Sequence, residues 1–344
     1  MCILIHLSAN ANSSGRRSET GKSQIMEHKK YLITGAAGFV SGYFIDHLLQ
    51  QEPDAEVLAL DLADALPEHF RQVPYRKTDL LDSAVVRSVI EEFKPDFILH
   101  LAAVSSVSQS WKDPRFCFVT NTGIFLNLAE SVKAVKPECV ILSVGSSEEY
   151  GPYPESAMPL KEEYAPHPVN PYSVAKNAQE QLAQLYVQGF GMKIILTRSF
   201  NHFGPYQKDL FVIPSFVKQL VTCKLENRPA LLQTGNIDVI RDFLDVRDVV
   251  DAYYCLLHKG MSGQVYNICS GKGTSLRDLI KLLGELLELD ITIEIDPARV
   301  RPTENPLVIG DNSRIVSAVN WQVRHELKET LGDMIAYYKK VIGK

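Results

Sequence analysis

The sequence predicts an α/β fold, a doubly wound parallel sheet with a smaller mixed C-terminal substrate lobe. Two observations carry that expectation. From residue 31 to about 200, runs of four to six apolar residues alternate with amphipathic helical patterns. A strand apolar along its whole length belongs in a parallel sheet covered on both faces. A glycine-rich turn also joins the first run to the first helix, the connection that a βαβ unit uses to hold a phosphate.

The elements follow in order. Tyr31-Leu32-Ile33-Thr34 is the first strand, and the helix after it repeats Phe39, Tyr43, Phe44, His47 and Leu48 at spacings of three and four. Glu56–Asp61 is the second strand, and helix-like Ser83–Phe93 leads into a strand over Asp96–Leu101. Helix-like Phe116–Lys136 precedes a strand over Cys139–Val144, and helix-like Ser173–Gly189 precedes one over Lys193–Thr197. Beyond about residue 200 the alternation breaks down into loops carrying Pro205, Pro214 and Pro229, with helices near 212–224 and 326–341. Residues 8–24 are polar, small and aperiodic, so 1–28 is expected to be a disordered leader, with Met26 a candidate natural start. A dinucleotide-binding domain is expected over 29–203 with a returning segment at about 236–268, and 204–344 is expected to be mainly the ligand lobe.

Composition narrows the class. Acidic residues exceed basic ones by 41 to 36, a net charge of −5, which argues against a general nucleic-acid binder. No stretch approaches the roughly 18–20 apolar residues that cross a bilayer, and the apolar start Cys2–Leu7 is too short for a secretory signal. The six cysteines form no CxxC pair, so free thiols in a reducing, cytoplasmic setting are expected and a metal site is not.

Three segments carry chemistry. In Thr34-Gly35-Ala36-Ala37-Gly38-Phe39-Val40-Ser41-Gly42 the pattern is GxxGxxS, with the last glycine displaced to Gly42. Gly35, Gly38, Phe39 and Val40 are therefore expected to hold a dinucleotide, in a Rossmann-type domain. Asp61 closes the second strand, where a carboxylate accepts from ribose hydroxyls and repels a 2′-phosphate, favouring NAD over NADP. Tyr172 and Lys176 stand four residues apart on one helical face, where an ammonium lowers the pKa of a phenol. Ser146 and Glu148 occupy a loop just past a buried strand, where open α/β sheets place their active sites. Ser146, Glu148, Tyr172 and Lys176 are the expected catalytic set.

Together with His100-Leu101-Ala102-Ala103 and Asn121, these segments resemble the extended short-chain dehydrogenase/reductase family of nucleotide-sugar enzymes. The resemblance implies cofactor contacts at Asp79, Leu80, Leu101, Ala102, Ala103 and Asn121 as well as Tyr172 and Lys176. Arg198–Pro205, Gly235–Asp238, Arg241-Asp242-Phe243 and Arg301-Pro302-Thr303-Glu304 resemble the GDP-mannose-processing branch of that family. It implies a GDP-sugar held by Ser147, Asn201, Arg241, Arg301 and Glu304, with NAD or NADP as cofactor and no metal. Reduction of the 4-keto group of GDP-4-dehydro-6-deoxy-D-mannose to GDP-D-rhamnose is the activity it favours. GDP-mannose 4,6-dehydration, or another NAD-dependent nucleotide-sugar dehydration or epimerisation, is the alternative, and a non-enzymatic NAD-binding scaffold is disfavoured. Neither nucleic acid nor membrane is an expected partner. A homodimer is implied through a four-helix bundle, with Phe125, Leu128, Leu182 and Leu185 as apolar positions on the helices concerned.

Overall fold

The computed structural model describes residues 28–299 and 305–343. Apart from His28, the expected leader lies outside the described residues, as does Met26. The first part of the chain forms β1 (Lys30–Thr34), α1 (Phe39–Gln51), β2 (Glu56–Asp61), β3 (Tyr75–Lys77), α2 (Ser83–Phe93) and β4 (Phe97–His100). It continues through α3 (Val107–Lys112), α4 (Pro114–Val135), β5 (Val140–Ser146), α5 (Pro171–Phe190) and β6 (Lys193–Ser199). Then come β7 (Asn201–Phe203), α6 (Val212–Leu225), β8 (Ala230–Thr234), β9 (Ile240–Asp245), α7 (Val246–Lys259) and β10 (Val265–Ile268). The chain closes with β11 (Gly273–Ser275), α8 (Leu276–Leu287), β12 (Ile291–Ile295), β13 (Leu307–Val308), α9 (Ser313–Val319) and α10 (Leu327–Ile342).

Seven parallel strands make one sheet in the order β10-β6-β5-β4-β1-β2-β3. Adjacent residues in each strand face opposite layers. Leu32, Leu58, Ile98, Ile141 and Ile194 pack with Val89, Phe125, Leu128 and Ala183 of α2, α4 and α5. Ile33, Ala59, Leu99, Leu142 and Ile195 pack with Phe44, Leu48, Val249 and Tyr253 of α1 and α7. That two-sided burial is why these strands read as unbroken apolar runs. Phe125 and Leu128 thus fill the core of their own subunit, whereas Leu185 is exposed.

After residue 200 the order of elements departs from the loop-rich reading. Pro214 lies within the first turn of α6, where a missing N–H costs no helical bond. Helix α7 returns to pack on α1, and β10 joins the sheet beside β6. Elsewhere α6, α8 and α10 surround a second core around Val217, Leu279, Leu283 and Met334. Strand β9 pairs with β7, β11 and β13 between the two regions. Arg247 binds Asp245 and also reaches Glu329 and Asp333 of α10.

The strand order reverses between β1 and β4, so their connections leave in opposite directions and open a crevice at the carboxyl ends. The glycine turn, residues 101–108 and Ser146–Glu148 all border that crevice.

Candidate active site

One cavity of about 2220 Å³ runs from the glycine turn to β9 and residues 305–308. A single small-molecule pocket occupies about 300–1,000 Å³, so the space suits two ligands end to end.

At one end, Gly35 has φ +70°, and a Cβ there would sit 2.8 Å from the Ala102 nitrogen. The turn and the residues after β4 therefore touch backbone to backbone. Ser41 Oγ lies within 3.0 Å of the carbonyls of Gly35, Ala36 and Gly38, donating to one at a time. The serine in the third glycine position thus ties the turn together. Gly42 serves another purpose, since a Cβ there would lie 2.3 Å from the Phe70 ring. No side chain caps the amino end of α1, leaving its first amides available to an anion. Asp61 accepts from the Ala37 and Ala63 N–H groups, both at 3.0 Å, and each oxygen retains a lone pair for a hydroxyl.

Phe39, Val40, Asp79, Leu80, Leu101, Ala102 and Ala103 all line the cavity. Asn121 does not: it is buried, and its amide accepts from the Val104 N–H at 2.8 Å while donating to the Val104 carbonyl. It braces the cavity-lining loop after β4 from behind, which spacing along the chain could not distinguish from lining the cavity. These features fit a dinucleotide: a turn without room for side chains, uncapped amides for a pyrophosphate and a carboxylate for a ribose.

The catalytic candidates meet midway along the cavity. Asn170 caps α5, accepting from Ser173 N–H at 2.8 Å, and Pro171 fills the first helical position. The cap places Tyr172 and Lys176 on the buried face of α5 beneath the end of β5. Burial pushes the Tyr172 phenol upward, while the neighbouring Ser146 hydroxyl pulls it down, so the group stays protonated. Lys176 Nζ donates to the Val144 carbonyl at 2.8 Å and Gln179 Oε1 at 3.2 Å. Glu148 accepts from Asn170 Nδ2 at 2.9 Å, and Ser147 lies beside it on the cavity wall.

At the far end, Asn201 and Arg241 line the cavity, and Arg241 Nη1 donates to the Ile240 carbonyl. Arg301 and Glu304 lie outside the described residues. Four further residues were not expected at the site. Asn170 was legible as an Asn-Pro helix start, but its grip on Glu148 was not. Asp242 lies within a recognised motif, yet only the fold brings Ser270, Gly271 and Gly310 donors to it. Burial still pushes its carboxyl up to about 6. Gln179 joins Lys176 to Ser143 through the interior. Glu149 looks like ordinary loop polarity in the sequence but is wholly buried.

Among the described residues no helix is long and apolar enough to cross a membrane, and no group of three or more His, Cys, Asp or Glu side chains could hold a metal.

A family model described as GDP-mannose 4,6 dehydratase matches residues 32–334. The chain is 36% identical over 303 residues to the GDP-6-deoxy-D-mannose reductase of Pseudomonas aeruginosa, covering 88% of this chain and 95% of that protein. It is 30% identical to the GDP-6-deoxy-D-talose 4-dehydrogenase of Aggregatibacter actinomycetemcomitans over 84% of this chain and 91% of that one. Among solved structures, RMD from Pseudomonas aeruginosa complexed with NADPH superposes with a TM-score of 0.81 at 33% identity, covering 91% and 98% of the two chains.

Proposed function

The chain belongs to the GDP-mannose 4,6-dehydratase family, and from that premise we propose that it is a nucleotide-sugar oxidoreductase that reduces the 4-keto group of GDP-4-dehydro-6-deoxy-D-mannose to GDP-D-rhamnose. The observation that carries the reading is a Tyr172 phenol kept protonated by burial beside the Ser146 hydroxyl, midway along a cavity long enough for cofactor and nucleotide sugar. Two relatives at 30% identity or more bear names that place 6-deoxyhexose chemistry on a GDP sugar.

In this reading Ser146 Oγ–H donates to the 4-keto oxygen, and Tyr172 gives that oxygen its proton. Lys176, as an ammonium, stabilises the phenolate left behind. The reduced nicotinamide, when bound, supplies the hydride. Gly35, Gly38, Phe39, Val40, Asp79, Leu80, Leu101, Ala102 and Ala103 would hold the cofactor, with Asn121 supporting them. Asp61 would favour NADH because a 2′-phosphate would meet its carboxylate. Ser147, Asn201 and Arg241, with Arg301 and Glu304, would take the GDP-sugar. Residues 29–203 with the segment at about 236–268 would form the cofactor domain, and the remainder of 204–344 the sugar lobe. Exposed Phe116 and Val119 of α4, with Leu185 and Phe190 of α5, support the homodimer through paired helices.

The dehydratase alternative draws on Glu148, which faces the same cavity. Glu148 has an amide partner in Asn170, and Ser147 in place of a second acid weakens only the dTDP-sugar form of that alternative. Purified protein should consume NADH or NADPH only when given the 4-keto sugar. Formation of a 4-keto product from GDP-mannose without added reductant would establish the dehydratase instead.

A further inference from the structure

Beneath Ser146 lies a carboxylate that the proposed reaction leaves unused. Glu149 is 0% exposed. Its Oε1 accepts from the Ser146 N–H at 2.6 Å, and Oε2 meets no hydrogen-bond donor. The backbone makes room for it: a Cβ at Gly145 would stand 2.5 Å from Glu149 Oε1.

The surrounding charges decide what this carboxylate does. Helix α5 presents Lys176, Tyr172 and Glu180 to the region, and β6 presents Arg198. Cys117 of α4 and His100 of β4 face Lys176 from the other side. Arg198 and Glu180 already satisfy each other through two hydrogen bonds of 2.9 and 2.7 Å, with both side chains 4% exposed. The third Arg198 nitrogen turns to the carbonyls of Glu162 and Tyr164. Lys176 has only neutral acceptors, Val144 and Gln179. Burial pushes the Glu149 carboxyl up and the Lys176 ammonium down, while each charge favours the other. An isolated buried charge of either sign is costly.

We propose that Glu149 is a positioning residue for the reduction, serving as the buried counter-charge of Lys176 while fixing Ser146 through its backbone N–H. One carboxylate then sets both the charge behind Tyr172 and the seat of the Ser146 hydroxyl. Its kinetic consequence rests on the reductase reading; the charge pairing does not.

Glu149→Gln separates the two tasks, because the amide oxygen still accepts from Ser146. In the variant, Lys176 loses its proton at lower pH. Tyr172, relieved of an adjacent anion, also ionises at lower pH. The alkaline limb of kcat/KM for reduction should therefore move down by about one pH unit or more, and Glu149→Asp should bring it back toward wild type. An unmoved limb in Glu149→Gln overturns the proposal.

A second measurement needs no substrate. Lys176→Met strands the Glu149 carboxylate, whose folded pKa then lies further above its unfolded value. Such an acid loses folding stability as pH rises from the unfolded value through the folded one. Above about pH 8, where Glu149 beside Lys176 has already ionised, the melting temperature of Lys176→Met should keep falling and so drop relative to wild type. Combining it with Glu149→Gln should remove that slope. Parallel melting curves for wild type and Lys176→Met overturn the proposal even if Glu149→Gln does not fold. A slope present in the single variant and absent from the double one supports the charge pair, including in a protein that reduces no 4-keto sugar, where the reductase reading alone would fail.

Discussion

Tyr172 lies on the first turn of α5, its hydroxyl beside Ser146 and its ring shielded from solvent. A phenol so placed gives up its proton only to a partner that becomes strongly basic, as a carbonyl oxygen does during reduction. Tyr172→Phe removes the proton and little else. Turnover should fall by roughly 10²–10⁴-fold, with cofactor binding and melting temperature retained; both are read by fluorescence titration and thermal unfolding. Asp61 poses the other residue-scale question. Asp61→Ala removes the charge facing a 2′-phosphate, so the ratio of kcat/KM for NADPH to that for NADH should rise at least tenfold, about 1.4 kcal/mol. An unchanged ratio places cofactor selection elsewhere. The places of Tyr172, Lys176 and Asp61 on the cavity wall were legible because they depend on local spacing or on a strand end. Glu149 was not legible, since a charged residue in a polar loop is ordinarily solvated and only packing against β6 and α5 buries it.

Among the elements, α5 shows how a helix start is joined to the site. Asn170 Oδ1 caps Ser173 N–H, and the same amide's nitrogen holds Glu148. Asn170→Ala loses both bonds and should cost about 1 kcal/mol in cap energy, lowering the melting temperature by about 2–4 °C. Asn170→Asp keeps the cap but sets a carboxylate against Glu148. Its melting temperature should stay near wild type while kcat for reduction falls, a split that a purely structural asparagine would not produce. Longer elements were legible in the sequence: α2 spans Ser83–Phe93 as its periodicity predicts. Short β3 and α3 were missed because three and six residues carry too few positions to display a period. Pro214 suggested a loop, yet the first turn of a helix is where proline is tolerated.

For the whole molecule, the unused surface lies along α4 and α5. Leu185 and Phe190 are 60% and 58% exposed, apolar area that a partner helix pair would cover. Leu185→Glu combined with Phe190→Glu should convert a dimer to a monomer in sedimentation velocity while leaving the far-ultraviolet circular dichroism unchanged. A species that is already monomeric before substitution would remove the proposed interface. The expected bundle positions divide here, since Phe125 and Leu128 point into the sheet and Leu185 points away. Both faces of α4 and α5 carry apolar residues, so composition could not assign either face to core or interface.

The sequence by itself determined the parallel sheet, the glycine turn at its first crossover and the Tyr172–Lys176 pair, because each depends on neighbours within one helix turn or one strand. The tertiary structure alone decided that Asn121 braces rather than lines the cavity, that Asp242 gathers donors from residues 270–310, and that Glu149 lies buried under Ser146. Those outcomes depend on which distant backbones converge and exclude water, a property of the packed chain that no local pattern encodes.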